Sequence, residues 1–357
     1  MIFPKKRFYF KIFQQVSVFI FYFLLLNFTS YLYFPLTTFE CLVIPLVLFI
    51  VMMFSIYVEF INSNVITRFI VEVLDSLIWF GLMFLLLSIL LVILHLFIVT
   101  PIILRRILII LIILLFIYGY YNSHNPRITE RTLYLNNLDE EIDIIHLSDI
   151  HIGSVRREGL LKKISKKINT INPDIVLISG DLVDGSNEIK PNTFEELGKI
   201  KAPVIFNPGN HDYYFGFECV IKACENAGIT VLDNQQMKFK GLNIYGISYS
   251  FISEKMEFED LDFKINKNEN NLLIFHIPSN WDEFIELGFN IMLSGHTHGG
   301  QFYPAKVWVK LVYPKLRGLF EKEGNYINIS DGVGTMGPPI RIGTKAEIGL
   351  LKLRKRD

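Results

Sequence analysis

The amino-acid sequence predicts an α/β protein in which a bundle of transmembrane helices precedes one soluble domain. Residues 1–121 consist mainly of long uncharged apolar runs. The segments before and between these runs contain seven Lys or Arg and four acids. The other 236 residues carry 28 basic and 31 acidic side chains, a balance that is ordinary for a globular domain. In this second part, short apolar runs alternate with segments of helical periodicity, so we expect strands to alternate with helices.

The N-terminal part contains four uncharged apolar runs, at 12–34, 41–58, 77–104 and 107–121. A helix needs about 20 such residues to cross the hydrocarbon layer of a membrane. We therefore predict a transmembrane region over 1–121 with about four helices. A cleaved signal peptide would explain only the first run.

The distribution of Lys and Arg around these runs predicts the orientation of the chain. With four crossings and the N-terminus inside, the inner segments contain seven of these residues and the outer segments contain two. The inner ones are Lys5, Lys6, Arg7, Lys11, Arg68, Arg127 and Arg131, and the outer ones are Arg105 and Arg106. Because positive charge concentrates on the cytoplasmic side of membrane proteins, we expect a multi-pass protein of the cell membrane with its soluble domain in the cytoplasm.

The soluble part is predicted to consist of a linker over 122–141, with at most one edge strand, and a domain over 142–357. Its apolar runs predict strands at 142–148, 175–179, 204–207, 230–232, 242–247, 272–275, 291–294, 326–329 and 348–353. Helices are predicted at 157–171 and 217–227. In α/β folds the loops after the carboxyl ends of strands form the ligand site, so function is sought in those loops.

Five of the predicted strands are followed at once by Asp, Asn or His. The segments are Asp149 with His151, Gly180-Asp181, Gly209-Asn210-His211-Asp212, His276, and Gly295-His296-Thr297-His298-Gly299-Gly300-Gln301. Each segment alone is ordinary sequence for a turn or a cap. Their occurrence in order, each after an apolar run, indicates one site.

The chemistry of these side chains predicts a hydrolase site with two metal ions. Carboxylate, amide and imidazole ligands without thiolate suit Mn, Fe, Zn or Co rather than Ca. In an extended loop, His296 and His298 can point toward neighbouring coordination positions while Thr297 turns away. The glycines beside these residues permit tight turns and a close approach of the backbone. Two side chains have open roles: His146 is expected in the core or behind a ligand, and Asp184 either supports a ligand His or bonds its own turn.

Some classes of function are disfavoured. Nucleic-acid binding is disfavoured, because the slightly acidic soluble part has no broad basic surface to bind phosphates. The three cysteines, Cys41, Cys219 and Cys224, lack the C-x-x-C spacing of a zinc site and are interpreted as buried small hydrophobes. A transporter would need several polar groups at mid-membrane, where His95 is the single ionisable side chain deep in an apolar run.

At the residues named above, the chain resembles the calcineurin-like metallophosphoesterases. Their ordered blocks Asp-x-His, Gly-Asp, Gly-Asn-His-Asp/Glu, His and Gly-His-x-His are all present. The resemblance is closest to the bacterial membrane-associated phosphodiesterase branch, whose last block is often Gly-His-Thr-His-Gly-Gly-Gln, as at 295–301. The C-terminal sequences at 332–335 and 338–341 also resemble that branch. The resemblance covers 142 to the C-terminus and implies a two-sheet sandwich flanked by helices.

The resemblance also implies a role for each residue. Asp149, His151 and His298 would hold one divalent ion, Asn210, His276 and His296 would hold the other, and Asp181 would bridge both. His211 would be the catalytic histidine that is not a ligand, with Asp212 as its orienting partner.

The expected reaction is hydrolysis of a P–O bond, most simply in a phosphodiester, by in-line attack of a metal-bridging hydroxide. Two divalent ions, two carboxylates and one hydroxide give the site a net charge near +1. This charge favours binding of an anionic phosphate. A pair of ions can generate the nucleophile and stabilise both the attacking and the leaving oxygen. His211 is predicted to protonate the leaving oxygen.

The substrate is left open by the sequence. Residues 302–320 mix aromatic side chains with Lys and Arg, which suits either a membrane interface with anionic headgroups or a solvated flap that packs on the sheet. A lipid-linked phosphoester is therefore one hypothesis, and the pyrophosphate of a UDP-linked diacylglucosamine is the named alternative substrate. A non-catalytic signalling or scaffold protein of the membrane is the other alternative, although no ligand position is substituted.

Overall fold

The computed structural model describes residues 5–30, 36–61, 64–136, 138–153, 158–185, 189–214, 216–250 and 256–356. The chain divides into two compact units. One comprises Met1–Tyr121 with Gly337–Ile340, and the other comprises Asn122–Met336 with Arg341–Asp357.

The first unit is built from long helices, α1 (Lys5–Ser30), α2 (Thr38–Ile61), α3 (Val65–His95) and α4 (Ile102–His124), the last of which ends three residues into the second unit. Among the described residues, three helical segments are long and apolar enough to cross a membrane: Thr38–Ser55, Val65–His95 and Ile102–His124. The described apolar part of α1, Gln15–Ser30, is shorter. Packing of α1 on α2 and α3 leaves large apolar side chains exposed, as expected of helices that face lipid.

The second unit contains two mixed six-stranded sheets. The first has the order β1-β12-β2-β3-β4-β5 and the second has the order β10-β11-β9-β8-β7-β6. The strands are β1 (Arg127–Leu135), β2 (Ile142–Leu147), β3 (Ile175–Ser179), β4 (Val204–Asn207), β5 (Thr230–Val231), β6 (Gln235–Phe239), β7 (Leu242–Ile247), β8 (Asn270–Phe275), β9 (Ile291–Ser294), β10 (Gly318–Lys322), β11 (Asn325–Ile329) and β12 (Glu347–Lys355).

The two sheets pack face to face, and short helices cover their outer faces. Apolar side chains of both sheets form one buried cluster between them, for example Ile144 and Leu177 against Leu272 and Leu293. The other face of the first sheet is covered by α5 (Glu158–Ile171) and α6 (Phe217–Asn226). Trp281 and Phe284 of α7 (Trp281–Leu287) cover the second sheet. The two-sheet sandwich flanked by helices is confirmed.

Helix α5 shows how the sequence directs this packing. Its apolar residues at helical spacing, Leu160, Leu161, Ile164 and Ile168, are all buried against the first sheet. Burying one such side chain contributes roughly 1.5–3 kcal/mol, so this face is sufficient to hold the helix in place. Position 157, included in the predicted helix, lies outside the described residues.

Two strands and two short helices are additions to the predicted elements, and the one edge strand allowed for within 122–141 is present. Strand β1 lies within 122–141 and pairs along its whole length with β12 at the edge of the first sheet. Strands β6 and β10 are the edge strands of the second sheet. The helices are α7 and α8 (Ala305–Val312). The three strands are largely half-exposed or exposed, so their sequences lack the continuous apolar run that marks a central strand.

The parallel arrangement of the central strands positions the site. Strands β2, β3 and β4 are parallel neighbours in the first sheet, and β8 and β9 are parallel neighbours in the second. The carboxyl ends of parallel neighbours lie at one edge of a sheet. The five predicted segments of polar residues therefore follow strands that end side by side.

Candidate metal centre

Six side chains from three of these loops and from the end of β8 bring possible metal-ligating atoms together. Asp149, His151 and His298 form one group, and Asp181, His276 and His296 form another. Within each group, the ligating atoms lie within 4.8 Å of one another. The structure thus brings together, apart from Asn210, the two sets that the family resemblance implied would hold separate ions.

The first group is fully buried at the junction of the two sheets. The Nε2 atoms of His151 and His298 face each other at 3.1 Å. Oδ1 of Asp149 lies 3.3 Å from Nε2 of His298 and 3.8 Å from Nε2 of His151. Burial lowers the pKa of both imidazoles well below the usual value, so their nitrogen lone pairs are available to a cation.

The second group centres on Asp181, which also faces the first group. Oδ2 of Asp181 lies 3.1 Å from Nε2 of His276 and 3.8 Å from Nε2 of His151. Nδ1 of His296 lies 3.3 Å from Nε2 of His276. One carboxylate oxygen therefore lies between the histidines of both groups, which is the position that a bridging ligand requires.

Hydrogen bonds fix the orientation of two of these ligands, His276 and Asp149. Nδ1 of His276 donates to the carbonyl oxygen of Ser179 at 2.7 Å, which turns Nε2 toward Asp181. Ser148 Oγ donates to Oδ2 of Asp149 at 2.7 Å, and the backbone N–H of His296 donates to the same carboxylate. The side chains are thus held in place by the protein itself.

The charges within the second group are coupled. Burial opposes protonation of His276, but the adjacent Asp181 carboxylate outweighs burial and raises the pKa of His276 to about 10. Burial would raise the pKa of Asp181, and His276 reverses this effect and holds that pKa well below its usual range. Burial, followed by the charge of His276, lowers the pKa of His296 to about 4. A cation at this group would take the place of the proton on His276.

Asn210 lies beside the two groups with its amide oriented by a phenol. Its Nδ2 donates to the hydroxyl oxygen of Tyr214 at 3.0 Å. Its Oδ1 is buried and has no hydrogen-bond partner among the described residues. A buried amide oxygen without a partner is costly, and a metal ion would satisfy it. This oxygen, together with carboxylate oxygens and imidazole nitrogens, is a set of donors that fits divalent transition ions.

The backbone at the centre is held in an uncommon conformation. Five of the seven predicted ligands have positive φ: Asp149 (50°), His151 (53°), Asp181 (55°), His296 (69°) and His298 (50°). Such conformations cost free energy in residues other than glycine and concentrate at functional sites.

Two glycines allow the loops to approach one another closely. A Cβ at Gly209 would lie 2.4 Å from Oδ1 of Asp181. A Cβ at Gly295 would lie 1.8 Å from Oγ of Ser148. Any side chain at either position would push apart the segments that carry the ligands, which is the close approach the sequence analysis expected of these glycines.

The position of Asp212 differs from the expectation that it orients His211. Its carboxylate accepts backbone N–H bonds from Gly209 at 2.8 Å, Asp181 at 2.9 Å and Val183 at 3.1 Å. The ring of His211 is oriented by the carbonyl of Asp184, which accepts from Nδ1 at 3.1 Å. The reason is the 3₁₀ turn His211–Tyr213, which directs the buried Asp212 side chain toward the loop after β3.

The pKa of Asp212 reflects this buried position. Burial and the charge of Asp181 raise it to about 7, against the opposing effect of the backbone N–H groups of Gly209 and Val183. Asp212 therefore ties together the loops that follow β3 and β4, and its ionised form is held by those N–H groups.

His211 is half-buried at the edge of the first group. Its ring lies 4.8 Å from that of His151, and its backbone N–H donates to Oδ1 of Asp181 at 2.8 Å. With Nδ1 bound to the Asp184 carbonyl, Nε2 is the ring nitrogen left free of that bond, and His211 also forms a group with His151 and Asp181 whose ligating atoms lie within 4.8 Å of one another. Asp184 thus contributes its backbone oxygen, a role that the sequence analysis did not consider.

Two buried side chains, His146 and Arg341, form hydrogen bonds to the segments next to the ligands. His146 bridges the sheets, because Nδ2 of Asn328 donates to its Nδ1 and its Nε2 lies 2.7 Å from Oγ of Ser179. Burial lowers the pKa of His146 to about 3, so this ring is neutral. The buried guanidinium of Arg341 donates to the carbonyl oxygens of Gly334 at 2.7 Å and His298 at 3.3 Å. It thereby holds the loop that bears His298.

Comparison with known proteins places the chain in a family. A family model described as calcineurin-like phosphoesterase matches residues 142–300. An uncharacterized metallophosphoesterase of Helicobacter pylori strain J99 is 33% identical over 248 residues, which cover 67% of each chain. The chain is a calcineurin-like metallophosphoesterase. It is accordingly a metal-dependent phosphoester hydrolase.

Further relatives agree with the bacterial and membrane character of this metallophosphoesterase. An uncharacterized metallophosphoesterase of Campylobacter jejuni is 29% identical over 266 residues, with 71% of each chain covered. A zebrafish (Danio rerio) transmembrane protein with a metallophosphoesterase domain is 27% identical over 263 residues, which cover 67% of this chain and 60% of the relative. Together with the three long apolar helices, these similarities identify a membrane protein.

Sequence reasoning missed two features of the site. Tyr214, which orients Asn210, follows it by four residues across a 3₁₀ turn, and an aromatic residue in such a place gives no signal of this role. Arg341 was noted only as part of a C-terminal sequence that resembles the branch. Its complete burial among backbone carbonyls emerges only from the tertiary structure.

Proposed function

We propose that this metallophosphoesterase hydrolyses phosphodiesters at a centre of two divalent ions. Asp149, His151 and His298 would hold one ion, and Asn210, His276 and His296 would hold the other. Asp181 would hold both, and the observation that carries the proposal is that its carboxylate lies between the histidines of the two groups. Ions bound there would supply a nucleophile from water at neutral pH and stabilise the attacking and leaving oxygens.

The residues of the chain prepare the site for an anionic substrate. The two ligand carboxylates balance only part of the charge of two divalent ions, so an anionic phosphate is attracted. His211, which presents Nε2, is proposed to give a proton to the leaving oxygen. The carbonyl of Asp184 holds the ring in the orientation for this transfer.

A lipid pyrophosphate such as that of a UDP-linked diacylglucosamine is a second candidate substrate. The observation that favours it is an exposed apolar face on α8, which begins five residues after Gly300. Both candidates require the same metal centre, so substrate assays distinguish them.

The experiment uses the full chain, purified in detergent and supplied with Mn²⁺. Hydrolysis of bis-p-nitrophenyl phosphate, p-nitrophenyl phosphate and a lipid pyrophosphate is compared before and after chelation. The proposal expects diester hydrolysis that stops on chelation and returns with the metal. Asp181→Asn should lower the metal content and the activity together. Metal-independent hydrolysis, or hydrolysis of the monoester alone, would contradict it.

We also propose that the chain crosses the cell membrane several times and that the catalytic domain faces the cytoplasm. The excess of Lys and Arg in the predicted inner segments supports this orientation. A reporter that is active on only one side of the membrane, fused to the C-terminus, tests it. Reporter activity outside the cell would contradict the orientation without affecting the assignment of the reaction.

A further inference from the structure

Helix α8 presents an apolar face to the outside. The four residues of this face are exposed: Val307 by 52%, Trp308 by 70%, Leu311 by 71% and Val312 by 69%. Their spacing places them on one side of the helix. No residue of α8 is buried, so the helix contributes no side chain to the core of the domain. An isolated helix of eight residues has only marginal stability in water. An exposed apolar face of this kind indicates an interaction site.

The α8 apolar face borders the metal centre. At the start of the helix, Cα of Lys306 lies 2.5 Å from where a Cβ on Gly300 would be, so the helix packs directly on the loop that carries His298. At its end, the ring of Tyr313 meets the His296 ring edge to face at 5.5 Å. A partner bound to this face would lie beside the substrate.

The surroundings of the face are positively charged. Residues 302–320 contain four cationic side chains, Lys306, Lys310, Lys315 and Arg317, and no acidic one. Lys310 is exposed on the helix itself, and Arg317 pairs with Asp331 at 2.9 Å. Nζ of Lys306 lies 5.4 Å above the ring of Tyr303. Apolar and aromatic side chains flanked by Lys are the composition of helices that lie in the interface of an anionic bilayer.

We propose that the α8 apolar face docks into the surface of an anionic lipid bilayer and presents the metal centre to phosphoesters embedded there. The inference rests on the proposed phosphodiesterase function and deepens it by naming an amphiphilic substrate. Attachment of the chain supports this partner, because α4 ends at His124 and β1 begins at Arg127. Two intervening residues keep the domain next to a membrane.

A second copy of the chain is a poorer partner for this face. A two-fold contact would bring two identical segments together, each with four cations and no acid, and like charges would repel. A stable protein interface also buries about 800 Å² on each partner. A helix of eight residues, about 12 Å long, offers much less surface than this.

The first experiment measures the depth of Trp308 in the full chain, reconstituted in nanodiscs of phosphatidylcholine with phosphatidylglycerol. Lipids brominated on the acyl chain quench tryptophan fluorescence at short range. The difference between the wild type and Trp308→Phe isolates Trp308 from Trp79 and Trp281. Docking predicts that this difference is quenched and that the quenching falls when phosphatidylglycerol is omitted. An unquenched Trp308 would overturn the proposal.

The second experiment compares Leu311→Ser with a matched variant, Ile128→Ser, which changes an exposed apolar residue of strand β1. We expect Leu311→Ser to lower kcat/KM for a vesicle-embedded phosphodiester by roughly 10–100-fold, the factor given by burial of one such side chain. Hydrolysis of soluble bis-p-nitrophenyl phosphate should stay unchanged in both variants. Equal effects of the two variants on the embedded substrate, or loss of a dimer in Leu311→Ser, would overturn docking to lipid.

The outcomes separate this inference from the proposed function. A wild-type protein in which Trp308 is quenched but neither ester is hydrolysed would refute the proposed function and support the docking. A protein that hydrolyses both esters while Trp308 remains unquenched would support the proposed function and refute the docking.

Discussion

Replacement of Asp212 by Asn tests whether this carboxylate holds the loops together or orients His211. In the structure, Oδ2 accepts from Asp181 and Gly209, and Oδ1 accepts from Val183. An amide at this position keeps one accepting oxygen and places an NH₂ group against at least one buried N–H donor. No hydrogen bond joins Asp212 to the ring of His211, so the variant should leave that ring in place.

The magnitude follows from these contacts. Loss of one hydrogen bond to a charged group costs about 1.5–3 kcal/mol, and a buried donor left without an acceptor costs about 1–3 kcal/mol. We therefore expect Asp212→Asn to lower the free energy of unfolding by about 2–4 kcal/mol. Because Val183 and Asp181 lie in the same loop after β3, loss of a bond to that loop should lower the affinity for metal by roughly 10–100-fold.

The assay combines thermal unfolding, metal content and the dependence of kcat on the leaving group, all at about pH 8.5. This pH lies above the pKa of Asp212, about 7, so the wild-type carboxylate is ionised. Excess Mn²⁺ should restore much of the activity of Asp212→Asn toward aryl and alkyl esters alike. A variant with normal stability and metal affinity that loses activity only toward poor leaving groups would show that Asp212 acts through His211.

Three further predictions concern His211, Tyr214 and His146. His211→Ala should keep its metal and lose on the order of 10²–10⁴ in rate on an unactivated ester, with a smaller loss on an aryl ester; loss of metal would refute the acid role. Tyr214→Phe removes the acceptor that orients Asn210, so titration should show affinity for one ion reduced by roughly tenfold, and two unchanged affinities would refute this role. The pKa of His146 is lowered to about 3 in the folded state, so between pH 6.5 and 3 only the unfolded state binds the proton and the free energy of unfolding falls as pH decreases. The slope contributed is up to about 1.4 kcal/mol per pH unit and should be absent from His146→Gln in parallel unfolding curves; identical slopes would refute it.

The central strands were predictable because they are continuous buried apolar runs. Strands β3, β4, β7 and β9 agree with the sequence at both ends. Strand β1 was expected only as one edge strand somewhere within 122–141, without bounds, because an edge strand with one solvated side needs no apolar run to mark its ends. Helix α8 was not predicted, because its eight residues are fewer than the roughly 11–18 over which helical periodicity is a clear signal.

The membership of the site was predictable for a topological reason. Loops that follow parallel neighbouring strands converge, so polar residues placed after β2, β3, β4, β8 and β9 meet at one place. The conformation of the site was not predictable. Positive φ at Asp149 and His298 is disfavoured locally, and it persists because tertiary contacts such as those of Arg341 hold the loops.

The hydrogen-bond partners of Asp212 were likewise not predictable from the sequence. Its neighbour in sequence suggested a partnership with His211, because adjacent residues of a motif are easily assumed to act on each other. The direction of a side chain in a 3₁₀ turn depends on the backbone donors around it, and three such donors lie in the loops after β3 and β4. Only the assembled fold brings those donors to the carboxylate.

The most direct test of the dinuclear centre is the metal content of the purified full chain, measured by mass spectrometry alongside diester hydrolysis. We predict two divalent transition ions per chain, loss of hydrolysis as a chelator removes them, and recovery as they are added back. Protein that retains full hydrolysis with fewer than one ion per chain would contradict the centre described here.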